Sequence, residues 1–258
     1  RLKLPLAYAD DVDLHRNPHL LDGAAGLISM GHDEYYSVAM RRALTAARDR
    51  GTNLAFLGAN AVYRRIRLQS TAIGRNRLEV NYKDPAEDPV SRRHPRQTTA
   101  NWPSPPAADP PGSLLGASYA CFPGNGDLVV ANASSWLLTG TKLRRGDRLP
   151  GALGPEFDAV QPQHRVPRPL EVVLHSRSRC GTFRYADATY YSTKSGAGVF
   201  NTGTMGWLKA LAGRDGKRTQ TLVEHITKTL LRAFARPHAG AAHPARDTVS
   251  KQYTTLPH

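Results

Sequence analysis

Residues 26–63 read GLISMGHDEYYSVAMRRALTAARDRGTNLAFLGANAVY and hold the clearest structural pattern in this sequence of 258 residues. Two short apolar runs, Gly26–Met30 and Leu54–Leu57, have the length and composition of buried strands. Between them, apolar residues recur at helical spacing from Val38 to Arg50, and Gly51 stands where a helix commonly ends. A strand–helix–strand unit of this length predicts that the two strands are parallel neighbours.

The rest of the sequence adds mainly strand patterns. Apolar residues alternate between 66 and 82, and strand-like runs lie at Leu170–Leu174, Ala188–Ser192 and Gly196–Phe200. A second amphipathic helix is predicted from Gln220 to Ala235. We therefore predict an α/β fold with a mostly parallel central sheet, helices on both of its faces and a β-rich second half.

The domain organisation follows from the length and from two irregular segments. We predict a single α/β domain over residues 1–258, with a long proline-rich surface loop at about 85–112 and a loosely ordered tail at 237–258. The first βα unit of a doubly wound sheet has no counterpart in the sequence. We expect a partner chain or an upstream segment to complete the fold, and hence an oligomer.

Charge and composition restrict the classes of partner. The formal net charge of +14 favours anionic partners. The basic residues are scattered and no nucleic-acid-binding motif occurs, so we expect no nucleic-acid partner. No apolar run approaches the roughly 18 residues that span a bilayer, so no membrane segment is expected and a cytoplasmic location is favoured. The only cysteines, Cys121 and Cys180, either pair or serve as small buried hydrophobic residues.

Polar residues follow both predicted parallel strands. One cluster, Gly31–Tyr36, comes after the first strand and a second, Gly58–Tyr63, after the second strand, at the end where ligands bind open α/β sheets. We therefore expect these side chains to meet at one edge of the sheet. A glycine-rich loop at 149–158 presents two further acids, Glu156 and Asp158.

Several motifs occur in a fixed order along the chain. They are GHDEY at 31–35, LGANAVY at 57–63, GPEFD at 154–158, ADATYY at 186–191 and GTMGW at 203–207. Together they make residues 8–247 resemble the C-terminal part of the N,N-dimethylformamidase large-subunit family. The resemblance implies a glutamine-amidotransferase-like α/β core and an amidase that hydrolyses the carbon–nitrogen bond of a small amide.

The resemblance also implies a mononuclear ferric iron site held by two tyrosines and one glutamate. On the matching motifs these ligands are Tyr35, Tyr63 and Glu156, and Tyr36 replaces Tyr35 if the register is shifted by one residue. Phenolate and carboxylate are hard oxygen ligands, which suit ferric iron. Such a metal polarises the carbonyl of an amide and lowers the pKa of its bound water.

Four neighbouring residues are candidates for catalysis: His32, Asp33, Glu34 and Asn60. The first three can act as a general base or support the metal ligands, and Asn60 can donate to an oxyanion. His32 and Asn60 also have a structural interpretation, because both residue types are common in turns.

Two other functions fit the same sequence. A thiol-dependent amidotransferase would need a cysteine at a sharp strand-to-helix turn, and neither cysteine lies at one. A non-catalytic module would use the same cleft to bind an anionic or sugar-like ligand. The sequence has Ser134-Ser135-Trp136 where the family carries a histidine before the tryptophan, so we do not expect dimethylformamide itself to be the substrate.

Overall fold

The computed structural model describes residues 2–161 and 163–253. Within this part of the chain the α-helices are α1 (Asp11–Arg16), α2 (Val38–Asp49), α3 (Gly112–Leu115), α4 (Gly206–Leu211), α5 (Lys217–Phe234), α6 (Ala239–Ala242) and α7 (Val249–Tyr253). Short 3-10 helices lie at Pro85–Glu87, Pro95–Gln97 and Trp136–Leu138. Only α2 and α5 exceed six residues among the described helices. None of the described helices is both long enough and apolar enough to cross a membrane.

The strands make up several sheets. In chain order they are β1 (Gly26–Gly31), β2 (Tyr35–Ser37), β3 (Asn53–Gly58), β4 (Arg64–Thr71), β5 (Gly74–Val80), β6 (Ala100–Asn101), β7 (Ser118–Cys121), β8 (Gly126–Val129), β9 (Arg148–Leu153), β10 (Phe157–Ala159), β11 (Leu170–Cys180), β12 (Thr182–Ser192) and β13 (Gly198–Asn201). The largest sheet has five strands in the order β1-β3-β13-β12-β11.

The predicted strand–helix–strand unit is confirmed. β1 and β3 are parallel neighbours, paired from Gly26 with Asn53 to Gly31 with Gly58. The intervening α2 begins after Ser37, whose hydroxyl accepts a hydrogen bond from the Met40 backbone N–H at 3.2 Å, as a helix N-cap does. Every residue of β3 is buried, since the strand has a neighbour on each side within the sheet and the helices α2 and α4 pack against it.

The prediction of a mostly parallel central sheet with helices on both faces is wrong, and with it the expected glutamine-amidotransferase-like architecture. β13 runs parallel to β3, but β12 and β11 are antiparallel, so the sheet is mixed. The reason is a long hairpin. β11 and β12 turn at Gly181, whose φ is +70°, and such a turn needs no crossover helix.

The chain between β3 and β11 also forms no crossover helices in its described residues. Instead it builds small sheets: β2-β4-β5 with β6 beside β4, then β7 with β10, and β8 with β9. Apart from the parallel β2–β4 pair, these pairings are antiparallel. The molecule is therefore richer in strands than the sequence pattern predicted.

The hydrophobic core forms one cluster of buried residues that extends from Leu14 to Val249. At its centre the fully buried Trp207 of α4 packs edge-on against Phe200 of β13, with ring centroids 6.2 Å apart. The indole N–H of Trp207 donates to the Thr227 hydroxyl of α5 at 3.1 Å. This contact attaches both helices to the central sheet without leaving a buried donor unpaired.

Two segments expected to be irregular are partly attached to this core. Val249 of the predicted tail is buried, and the Thr248 hydroxyl accepts a hydrogen bond from the Val172 backbone N–H at 2.8 Å. Residues 254–258 of that tail lie outside the described residues. In the proline-rich loop, the carboxylate of Asp88 is buried and accepts hydrogen bonds from Arg67 at 2.7 Å and from the Thr99 backbone at 2.8 Å.

The two cysteines pair. A disulfide joins Cys121 at the end of β7 to Cys180 at the end of β11, with Cα atoms 6.3 Å apart. The sequence alone left this pairing open, since the two residues are 59 positions apart. The bond attaches the tip of the long hairpin to the small β7–β10 sheet.

We predict that replacing Asp88 by Asn destabilises the protein. Burial opposes ionisation, but hydrogen bonds from Arg67 and from the Thr99 and Val90 backbones lower the pKa of Asp88 to about 2. From that shift we expect a loss of about 2 kcal/mol in the free energy of unfolding at pH 7. Urea unfolding followed by circular dichroism measures it.

The effect should depend on acidity in one direction. A folded-state pKa below the unfolded value of 3.8 stabilises the protein above that value, and this stabilisation disappears as the pH falls towards 2. The difference between wild type and Asp88→Asn should therefore shrink below about pH 4. The exposed neighbour Glu87, changed to Gln, serves as the control. An equal effect of both variants, or a difference independent of pH, contradicts the prediction.

Candidate functional site

The two polar clusters predicted to meet do lie side by side. β1 and β3 end at the paired residues Gly31 and Gly58, and a Cβ atom on Gly58 would stand 2.0 Å from the Gly31 carbonyl oxygen. Only glycine permits this approach of the two backbones. Beyond it, the backbone N–H of Tyr63 donates to the carbonyl of Glu34 at 2.9 Å. The turn after β3 is thereby attached to the turn after β1.

His32 stands at the centre of a cluster of acids. Its Nε2 atom lies 3.2 Å from Glu34 Oε2 and 3.2 Å from Glu156 Oε2, and it is 3.3 Å from the side-chain nitrogen of Asn60. The His32 side chain is 42% exposed, whereas those of Glu34 and Glu156 are 12% and 18% exposed. Solvent or a ligand therefore reaches the acids from the side of His32.

Tyrosines border the same cluster. Tyr35 of β2 pairs with Arg64 of β4, and Tyr63 immediately precedes Arg64. Burial raises the pKa of Tyr63, the positive charge of Arg64 opposes that rise, and the negative charge of Glu34 adds to it. Burial and Glu34 likewise raise the pKa of Tyr35, again against Arg64. The ring of Tyr119 lies 5.3 Å from that of Tyr63, measured between centroids.

The same neighbours shift the pKa of Glu34. Burial raises its pKa, the charges of His32 and Arg64 oppose the rise, and the neighbouring carboxylate of Glu156 adds to it. A carboxyl group with a raised pKa is a better proton acceptor than an ordinary surface glutamate. The surroundings of Glu34 thus suit it to accept a proton.

Asp158 holds the turn that carries Asn60. It is buried on β10, and its carboxylate accepts hydrogen bonds from the Asn60 backbone N–H at 2.8 Å and the Asn201 side chain at 2.9 Å. Burial raises the pKa of Asp158 to about 6, although both hydrogen bonds act in the opposite direction, and the charges of Glu156 and Asp187 add to the rise.

Asp33 has other contacts. Its Oδ2 atom accepts hydrogen bonds from the hydroxyls of Ser29 at 2.5 Å and Tyr36 at 2.6 Å. Tyr36 is buried with only 2% of its surface exposed. These contacts attach β2 to β1, and they leave Tyr35, not Tyr36, beside Glu34.

The residues present can be tested for their fit to a metal ion. Among the described residues, no group of three or more histidine, cysteine, aspartate or glutamate side chains is arranged to hold one. The candidate set differs, because tyrosines supply two of its three ligands. Two buried oxygens of the cluster, Glu156 Oε2 and Asn60 Oδ1, accept no hydrogen bond of ordinary geometry from the described residues. The nearest cation to Glu156 Oε2 that the structure gives is the imidazole of His32 at 3.2 Å, when that ring is protonated. Buried acceptors are nearly always satisfied, so this carboxylate oxygen is compatible with a bound cation.

Comparison with known proteins bears on this cluster. The family model described as N,N-dimethylformamidase beta subunit-like, C-terminal, matches residues 1–221. The chain belongs to this family. No curated protein matches the chain.

The part that matches this dimethylformamidase beta subunit-like family contains every member of the cluster, from His32 to Asn201. Two members were missed by reasoning from the sequence. Arg64 follows a predicted ligand directly, but a single arginine in a basic chain carries no signal. Tyr119 joins the site only because β7 pairs with β10, which places it opposite Asp158.

We predict that Asp158→Ala destabilises this dimethylformamidase-like domain by about 2–4 kcal/mol, because it leaves the Asn60 N–H and the Asn201 amide buried without an acceptor. Chemical denaturation at pH 7 measures the loss. Asp147→Ala is the control, since Asp147 accepts one backbone hydrogen bond near the surface, from Arg144 at 2.8 Å. The control should change stability by less than about 1 kcal/mol. Equal losses in the two variants would show that Asp158 has no special role.

Proposed function

We propose that this chain is a metal-dependent amidase that hydrolyses the carbon–nitrogen bond of a small amide. The proposed metal is a single ferric ion, with Tyr35, Tyr63 and Glu156 as its ligands. Membership of the dimethylformamidase beta subunit-like family supports an amide hydrolase in general terms. The observation that most supports the metal is the buried Glu156 Oε2, which lies 3.2 Å from His32 Nε2 but accepts no hydrogen bond of ordinary geometry from the described residues.

The chemistry of the ligands supports iron over softer metals. Two phenolates and one carboxylate are hard, anionic donors, and their three charges balance those of a ferric ion. When bound, the metal would polarise the amide carbonyl and increase the acidity of water. Arg64 also favours the phenolate form of the two tyrosine ligands, because its positive charge opposes the rise in pKa that burial causes.

Three further residues of the cluster are proposed to take part in the reaction. Glu34, whose pKa burial raises, is the proposed acceptor of a proton from the attacking water. His32, 3.2 Å from both Glu34 and Glu156, is proposed to orient the two carboxylates and to return the proton to the leaving amine. Asn60 is held by Asp158 beside His32 and is proposed to donate its amide N–H to the developing oxyanion.

The disulfide bears on the alternative functions. Both cysteines of the sequence are joined to each other, so a thiol-dependent reaction has no free nucleophile in this structure. The same bond weighs against the cytoplasmic location favoured from the sequence, since disulfides are rare in reducing compartments. The metal content of the purified protein distinguishes the amidase from the other alternative. The proposed amidase contains iron, whereas a module that only binds an anionic or sugar-like ligand needs none.

We predict that the purified protein contains iron and absorbs visible light through charge transfer from phenolate to ferric iron. Tyr63→Phe removes one ligand oxygen but keeps the ring, so it should weaken iron binding at least about tenfold and remove the colour. Elemental analysis and an absorption spectrum measure both effects.

Tyr36→Phe is the matched control for this prediction. It removes a neighbouring tyrosine hydroxyl that is bonded to Asp33, so it should keep both the iron and the colour. A colourless, metal-free wild-type protein that was never exposed to a chelator contradicts the proposal. Loss of colour in Tyr36→Phe but not in Tyr35→Phe would show that the assigned register is wrong.

We further propose a partner chain, as the term beta subunit in the family description suggests. β1 is the end strand of the central sheet, so one side of its backbone has no neighbouring strand among the described residues. Its side chains Ile28 and Met30 are 38% and 66% exposed, and Leu6 and Tyr8 are also exposed. Unpaired strand edges with apolar side chains favour association with another polypeptide.

We predict that the isolated chain associates and that Met30→Glu weakens this association, because a buried carboxylate without a partner is costly. Size-exclusion chromatography with light scattering gives the mass of each variant. The control is Ile73→Glu, which changes an exposed apolar residue in the turn between β4 and β5. A monomeric wild-type chain that stays soluble at high concentration would contradict the proposed association.

A further inference from the structure

Arg64 is a buried cation that makes no ion pair within 4.0 Å of a carboxylate among the described residues. Only 7% of its surface is exposed, and its Nη1 donates a hydrogen bond to the neutral side chain of Asn101. In the part of the chain that the structure describes, Arg64 takes part in no salt bridge. Two other arginines with little exposure have carboxylate partners: Arg41 contacts Asp109 at 3.1 Å, and Arg67 contacts Asp88 at 2.7 Å. The buried Arg65 instead donates to the backbone carbonyls of residues 95 and 96, away from the candidate site. A buried charge is expensive unless a counter-charge compensates it.

The position of Arg64 connects it with the candidate site. Parallel pairing of β2 and β4 places it opposite Tyr35, and it directly follows Tyr63 in the chain. Its charge acts on Tyr35, Tyr63 and Glu34, since it opposes the rise in pKa that burial causes in all three. The guanidinium is therefore within electrostatic range of the proposed reaction centre.

The hydrogen-bonding capacity of Arg64 is only partly used. Its Nη1 bonds to Asn101, and although the charge of Glu34 lies within electrostatic range, Arg64 forms no salt bridge with it. The planar guanidinium has further N–H donors that an anionic ligand can use. A carboxylate is the ligand that such a group binds best, through two parallel hydrogen bonds.

We propose that Arg64 binds an anionic group of the substrate, and that the substrates are small amides carrying a carboxylate, such as N-acyl amino acids. That the bound anion belongs to a substrate rests on the proposed amidase function. The binding of an anion by Arg64 can be measured separately. The excess of basic residues in the chain would attract such an anion, and Arg64 would select it.

Two probes that differ only in charge test the inference. N-formylglycine carries a carboxylate, and N-formylglycinamide carries a neutral amide at the same place. Calorimetry on the full chain as purified gives both dissociation constants, whatever its iron content. We expect wild type to prefer the carboxylate probe by about tenfold or more, and Arg64→Met to lose this preference with little change for the neutral probe.

Two further variants control for charge and folding. Arg42→Met removes an exposed arginine of α2 and should keep the preference. Arg64→Lys keeps the charge but not the fork of donors, so it should retain a reduced preference, and it replaces Arg64→Met if that variant does not fold in thermal denaturation. Equal binding of the two probes by wild type, binding of neither probe, or full preference in the folded Arg64 variant overturns the inference.

The two proposals fail in different ways. An iron-free, colourless protein that still prefers N-formylglycine through Arg64 refutes the metal site and supports the anion site. A coloured iron protein without any preference between the probes refutes the role of Arg64 alone.

Discussion

The geometry of the candidate site depends on one buried carboxylate. Asp158 connects three parts of the chain, since it lies on β10, bonds to the turn after β3 through Asn60, and bonds to the end of β13 through Asn201. A hydrogen-bonded charge in the interior is directional and costly to disrupt, so it holds its partners in one arrangement. Without it, the Asn60 turn, which also carries Tyr63, would lose the contact that attaches it to the loop of Glu156.

Around that carboxylate, the protein concentrates negative charge in a partly buried place. Glu34 and Glu156 stand on either side of His32, and burial raises the pKa of Glu34 and of the neighbouring tyrosines. Such an arrangement is unfavourable for stability alone, because like charges repel and burial penalises each of them. Clusters of this kind are typical of functional sites, where a cation, a proton or a substrate provides the missing charge.

The motifs of the sequence identified the family, but they did not predict the topology. The β1–α2–β3 unit follows from local patterns, because strand length, helical spacing and caps are all encoded within residues 26–58. The partners of β3 and β13 are not local. An apolar run such as Leu170–Leu174 is compatible with a parallel or an antiparallel neighbour. The hairpin at Gly181 makes β12 its antiparallel neighbour. The expected glutamine-amidotransferase-like architecture failed for this reason.

The sequence by itself determined which residue types could form the site and where each follows a strand, so His32, Glu34 and Asn60 could be proposed from it. Their convergence with Glu156, the place of Asp33 beside Tyr36, the disulfide, and the burial of Arg64 beside the site were decided by tertiary structure alone. The physical reason is that the chemistry of a side chain is local, whereas its burial and its partners depend on segments about a hundred residues away, as Asn60 and Asp158 are.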